Sequence, residues 1–204
     1  MKCDIIIAGV GGQGILSIAA VIGLAAVNNK IYVKQSEVHG MSQRGGAVYS
    51  HLRMSDSPIA SDLIPLSKAD LILSVEPMEA LRYIPYLAPD GWIVTNTQPF
   101  VNIANYPDIQ SLIQKLTSYS NNILLDADAL ATECGNSKVS NMVVLGAAAP
   151  FMNIIGHSET GQNSLSELEK AITSIFERKG ETIVAVNIRA LKTGYEAAFK
   201  TMKL

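Results

Sequence analysis

The sequence predicts a three-layer α/β/α domain around a mostly parallel sheet, and three observations carry that expectation. Short apolar runs alternate with segments of helical periodicity over most of the length. Those runs are apolar on both faces, as strands covered from above and below must be. A glycine-rich turn, "GVGGQG", joins the first run to a long segment rich in isoleucine and alanine. The 204 residues suffice for one domain with a substantial core. Residues 1–204 read as that single domain, with C-terminal helices from about residue 164, no internal repeat and no low-complexity linker.

The elements follow in order. "CDIIIA" is a buried strand, and "ILSIAAVIGLAAV" after the glycines is a helix. Residues 5–27 carry no charge and could pass for a membrane helix or signal peptide. The four glycines and Gln13 between a β-rich and an alanine-rich half break such a helix, and Asp4 stands where a signal peptide wants positive charge. "IYVKQ" (31–35) is a second strand, followed by a polar loop, "SEVHGMSQRGG". In 47–55, Val48, Ser50, Leu52 and Met54 alternate with Tyr49, His51 and Arg53, so this strand belongs at an edge or in a mixed part of the sheet. "ADLILSVE" is a buried strand, and Pro77 opens a short helix. "GWIVTNT" and residues 123–125 are further strands, with a helix from near Asp126. Residues 138–156 form a buried, largely helical stretch interrupted at Pro150. Two amphipathic helices end the chain, the first with Leu165, Leu168, Ile172 and Ile175 on one face.

Composition narrows the function. Hydrophobic residues make up 48% and charged residues only 17%, against about 25% charged in an ordinary domain. A surface this poor in charge suits one covered by a partner chain, and predicts a homodimer when that partner is missing. The net charge of −2, with scattered Lys and Arg, gives no basic stripe for nucleic acid. Cys3 and Cys134 stand far apart, with no CxxC and no Cys/His cluster at metal spacing. Two cysteines can neither hold a four-thiolate iron–sulfur cluster nor build a disulfide framework, so a reduced, soluble, cytoplasmic protein is expected.

Two clusters are candidates for binding. Gly9, Gly11 and Gly14 fit G-x-G-x-x-G, with Gly12 as an extra glycine. Such a turn lets backbone approach an anion at a helix N-terminus, whose free amides and dipole favour negative charge. Gln13 within it offers a polar contact to a ligand or a partner backbone. The turn also serves simply as tight strand-to-helix packing, and that alternative stays open. A dinucleotide enzyme would want an acid closing the second strand; Glu37 is near that place, but Gln35 and Ser36 precede it and a loop follows. A free-standing NAD(P)-dependent oxidoreductase is therefore the disfavoured alternative. The second cluster is "HGMSQRGG" (39–46), where Arg44 offers a fork of donors for phosphate or carboxylate, and Gly45 and Gly46 allow close approach. This loop and the glycine turn would both follow the carboxyl ends of adjacent strands, where ligands collect. Its bland alternative is an arginine that caps a helix or pairs with a carboxylate. His51 and His157 lack metal-ligand spacing and read as surface residues; Glu76, Asp126 and Asp128 read as helix caps. No side chain reads as a catalytic nucleophile or base, and no metal motif is present.

In order along the chain, "GVGGQG", "HGMSQRGG", "VEPMEALR", "NMVVLGA" and "VNIRALKTGY" resemble the γ-type subunits of the 2-oxoacid:ferredoxin oxidoreductases. The His and Gln before "RGG" most resemble the β-subunit branch of the indolepyruvate-specific enzymes. The resemblance implies a Rossmann-like domain and a division of labour. A large partner carries thiamine diphosphate and iron–sulfur clusters, the 2-oxoacid (here an arylpyruvate) is oxidatively decarboxylated, ferredoxin takes the electrons, and coenzyme A takes the acyl group. The chain itself has no "GDG" thiamine signature. Two roles are then open to this domain: seating coenzyme A through Gly9, Gly11, Gly12, Gln13, Gly14, Arg44, Gly45 and Gly46, or holding the complex together. The choice of 2-oxoacid would lie in the partner.

Overall fold

The computed structural model describes residues 1–40, 45–156 and 162–202. Six strands form one sheet: β1 (Lys2–Val10), β2 (Tyr32–His39), β3 (Ala47–Ser55), β4 (Ala69–Ser74), β5 (Leu87–Asn96) and β6 (Asn122–Leu125), in the order β2-β3-β1-β4-β5-β6. Seven α-helices flank it: α1 (Ile15–Asn28), α2 (Pro77–Arg82), α3 (Ile109–Thr117), α4 (Ala127–Glu133), α5 (Ser140–Ala148), α6 (Gln162–Phe176) and α7 (Glu181–Met202). The sheet is mixed. From β1 through β4 and β5 to β6 every pairing is parallel, whereas β3 runs antiparallel to both β1 and β2.

Strand alternation sorts the side chains into two apolar layers. Ile5 and Ile7 of β1, Leu71 and Leu73 of β4 and Val94 of β5 face the larger core with α1 and α4–α7, while Ile6, Ile72 and Ile93 face α2 and α3. In α1 the buried residues recur at helical spacing (Ile15, Ile18, Ala19, Ile22, Ala26), which binds the helix flat against the sheet. The region 5–27 is thus strand, turn and helix, and no helix among the described residues is long and apolar enough to cross a membrane. Carboxylates start the shorter helices as expected: the side chain of Glu76 accepts the Glu79 amide, and that of Asp126 the Ala129 amide. One helix was not foreseen. α3 begins at the cap Asp108, which accepts the Ser111 N–H, and buries Leu112 and Leu116 one turn apart.

Three expectations about the first half are corrected. The second strand does not stop at residue 35; it runs to His39, because Ser36–His39 pair with His51–Val48 of β3 in an antiparallel hairpin. The alternating strand β3 takes the second of its two expected places, the mixed part of the sheet, but because it lies between β1 and β2 the ends of those strands are two strands apart rather than adjacent. His51 is not a surface residue but 3% exposed. Its ring packs edge-on to Tyr49 and Tyr86, and its Nδ1 accepts the Ile64 N–H at 3.1 Å. Burial pushes its pKa below the usual histidine value. His157 lies outside the described residues.

Candidate functional site

The glycine turn emerges from the centre of the sheet, where β1 is buried from Cys3 to Val10. Gln13 clamps it: its Oε1 accepts the Val10 N–H at 2.8 Å, and its Nε2 reaches the Val75 carbonyl at 3.4 Å. The side chain read as a contact for a ligand or partner backbone is thus engaged within the chain, and it also lines a cleft beside the turn. Gly9 is glycine by packing, since a Cβ there would lie 2.4 Å from Val75 Cγ2. Gly14 begins the helix at φ +80°, and a Cβ would meet Asn141 Nδ2 at 2.4 Å. Gly12 also has a positive φ, +102°, but the space beside it is open.

The amides divide in the same way. Gly11 donates to the Gly46 carbonyl at 2.9 Å and is spent. Gly12 and Gly14 have no hydrogen-bond acceptor among the described residues. The first-turn amides of Ile15 and Leu16 are orphaned by helix geometry. Among the described residues no side chain caps α1, and its first turn holds no acidic residue. The N-terminus therefore keeps its partial positive charge and its donors for something outside the helix.

The hairpin tip closes one side. Gly40 donates to Ala47 O at 2.9 Å, and Asn102 Nδ2 donates to Gly45 O at 2.6 Å. With Gly11 bonded to Gly46, the second cluster's glycines meet the turn despite the intervening strand. Arg44 and Gln43 lie outside the described residues. Between turn and hairpin lies a cleft of about 660 Å³, lined by Gly12, Gly14, Leu16, Ser17, His39 and Gly40 among others. At its rim the His39 imidazole touches the Glu37 carboxylate. Glu37 sits on β2, separated from β1 by the whole of β3, which takes it away from the position that would hold a ribose on the turn.

A second cleft, about 580 Å³, opens on the other side of the same turn and shares Gly12, Gly14 and Ser17. Lys138, ahead of α5, and Lys179, ahead of α7, line it with Asn136 and Asn187. Sequence reasoning missed these residues; they are far apart in the chain and no local motif marks them. Glu76 has grown from a cap into a tether. Fully buried, it accepts the Phe100 N–H at 3.3 Å and the Tyr106 hydroxyl, and so draws residues 100–106 over the carboxyl end of the sheet. Desolvation, with the neighbouring carboxylate, drives the Tyr106 pKa up. Among the described residues no group of His, Cys, Asp or Glu could hold a metal, and both cysteines are buried and free. The arrangement offers amides, a helix dipole and two ammonium groups, a chemistry that suits binding an anion.

The chain matches the model of the family described as pyruvate ferredoxin/flavodoxin oxidoreductase over residues 4–197. It is 37% identical over 209 residues to the indolepyruvate oxidoreductase subunit IorB of Thermococcus kodakarensis, covering 98% of each chain. Its identity to the corresponding subunit of Pyrococcus horikoshii is 42% over 152 residues, 71% of this chain and 75% of that one. In fold it is similar to the keto/oxoacid ferredoxin oxidoreductase gamma subunit of Geobacter sulfurreducens, with TM-score 0.70 at 23% identity over 97% and 99% of the two chains. A 2-oxoglutarate:ferredoxin oxidoreductase of Magnetococcus marinus, solved with 2-oxoglutarate, coenzyme A and succinyl-CoA bound, matches at TM-score 0.72 and 20% identity. That match takes in 98% of this chain but 31% of the other. The chain belongs to the pyruvate ferredoxin/flavodoxin oxidoreductase family.

Proposed function

We propose that this chain is the small accessory subunit of a thiamine diphosphate-dependent indolepyruvate-type oxidoreductase. The observation that carries this reading is the 37% identity to an indolepyruvate oxidoreductase subunit over 98% of both chains. In the complex, a large cytoplasmic partner holds thiamine diphosphate and the iron–sulfur clusters. An arylpyruvate loses carbon dioxide, an electron pair passes to ferredoxin, and the acyl group forms a thioester with the sulfur of coenzyme A. The small subunit contributes no reacting group. Apart from its partner, it self-associates.

Its own task in this reading is to seat coenzyme A. The amides of Gly12 and Gly14 and the first turn of α1, without acceptor or cap among the described residues, support a site for the pyrophosphate, with Gly11 now occupied by Gly46. Arg44 is the side chain proposed for a second phosphate, and His39 and Gly40 line the cleft beside the turn. In the assembled complex, Arg44→Ala is expected to raise KM for coenzyme A about tenfold, with kcat and subunit stoichiometry unchanged. Steady-state kinetics at varied coenzyme A concentration read this directly. Unaltered coenzyme A kinetics would remove Arg44 from the site.

A further inference from the structure

We infer that the outer edge of β2 is the surface through which the chain pairs with a second copy of itself, antiparallel about a two-fold axis at Gln35. The inference rests on the self-association proposed above and names its surface. Among the described residues β2 ends the sheet and pairs with β3 alone. None of its eight residues is buried, and Tyr32 and Val38 are 51% and 42% exposed. Edges this long are usually protected by proline, a bulge or lysines lying across them. β2 has no proline, and its register with β3 is unbroken from Tyr32 to His39. Its one lysine, Lys34, extends its Nζ to the Ala60 carbonyl at 3.0 Å.

The hydrogen-bond parity says which groups face outward. Gly40 bonds to Ala47 in the hairpin, so the even-numbered residues Tyr32, Lys34, Ser36 and Val38 spend their backbone groups on β3. Val33, Gln35, Glu37 and His39 turn theirs to the open edge. A two-fold that continues the sheet keeps every side chain on its own face, so directly opposed residues must be an even number apart.

That condition leaves few registers. An axis at Lys34 would set two lysines against each other, and one at Glu37 two carboxylates, both unfavourable. An axis at Ser36 would carry Tyr32 past the end of the partner strand. With the axis at Gln35, Tyr32 lies opposite Val38 of the other copy, twice, and each is an aromatic–β-branched pair. Lys34 then opposes Ser36, Val33 opposes Glu37, and no like charges meet. The result is a continuous twelve-strand sheet.

An edge-only contact is small, so dimerisation with a micromolar midpoint is expected. Sedimentation equilibrium of the full chain should show the dimer growing in up to about 100 μM. Gln35→Pro removes an outward N–H and no bond to β3; it should weaken the dimer at least about tenfold while leaving the melting temperature in place. Gln35→Cys sets two thiols at a hydrogen-bonded pair with Cα atoms about 5.5 Å apart, within disulfide reach. Mild oxidation should therefore give a covalent dimer from Gln35→Cys and none from Ser36→Cys; the native cysteines are buried. A wild-type chain that stays monomeric overturns both the self-association and this surface. A wild-type dimer that Gln35→Pro does not weaken, or that cross-links through Ser36→Cys instead, overturns the surface alone.

Discussion

Gly194→Ala is expected to cost about 3 kcal/mol of stability, lowering the melting temperature by about 6–12 °C for a domain of this size. α5 and α7 cross with their backbones in contact at two glycines. A Cβ at Gly194 would lie 1.8 Å from the Val143 carbonyl oxygen, and one at Gly146 would lie 1.9 Å from that of Leu191. Neither neighbour is a side chain that can swing aside; a helix must move. α5 is buried at every residue from Asn141 to Ala148, so parting the helices loses packing along its length. Gly23 in α1 is the control, because a Cβ there meets nothing within 4 Å. Gly23→Ala should raise stability by about 0.5–1 kcal/mol through helix propensity alone. Thermal melts of the two variants test the crossing, and an unchanged midpoint for Gly194→Ala would contradict it.

Arg53→Met is the second large effect, again expected at about 3 kcal/mol. Asp4 on β1 is 2% exposed, and Arg53 on β3 grips it with both arms of its fork, Nε to Oδ1 at 2.8 Å and Nη2 to Oδ2 at 3.0 Å. The remaining nitrogen, Nη1, donates to the carbonyls of Ser61 and Leu63 and so anchors the connection between β3 and β4. Removing the guanidinium leaves a buried carboxylate whose one remaining cation among the described residues is the exposed Lys2 ammonium, at 3.1 Å. Urea denaturation of Arg53→Met, Asp4→Asn and the double variant forms a mutant cycle. The double variant should lose less than the sum of the singles, because the neutral amide no longer needs its counter-charge. Strict additivity would mean that the pair contributes nothing of its own.

These two features were invisible in the sequence, and the reason is physical. A close helix crossing and a cross-strand ion pair are set by tertiary register, whereas periodicity reports only what an element does to its own faces. The features set locally were legible. Glycines between an isoleucine run and an alanine-rich run mark a strand, a turn and a helix, and Asp126 before Ala127 marks a helix start. β2 was read too short because an open edge imposes no apolar alternation on Ser36–His39. His51 was misplaced because β3 is covered on both faces, with three tyrosines closing over the one that alternation assigns to solvent. α3 did leave a signal, a cap at Asp108 followed by Leu112 and Leu116, that a shorter window would have found.

The candidate site divides along the same line. The turn and the "RGG" hairpin were readable as separate motifs, and their meeting through Gly11 and Gly46 followed from the hairpin, although the strands were not the adjacent pair expected. Lys138 and Lys179 line the cleft beside the turn because they precede α5 and α7, whose starts flank that cleft. Gln13 has a second role that the motif did not announce: its hydrogen bonds hold the turn together, while it also lines the second cleft.

The central claim is that this chain works as one part of a larger oxidoreductase. The most direct measurement is anaerobic purification from the native host through a tag on this chain, followed by identification and assay of what accompanies it. The account predicts a large partner with bound thiamine diphosphate and iron, and arylpyruvate-dependent reduction of ferredoxin that requires coenzyme A. A chain that emerges alone and takes up NAD(P) at the glycine turn would contradict it.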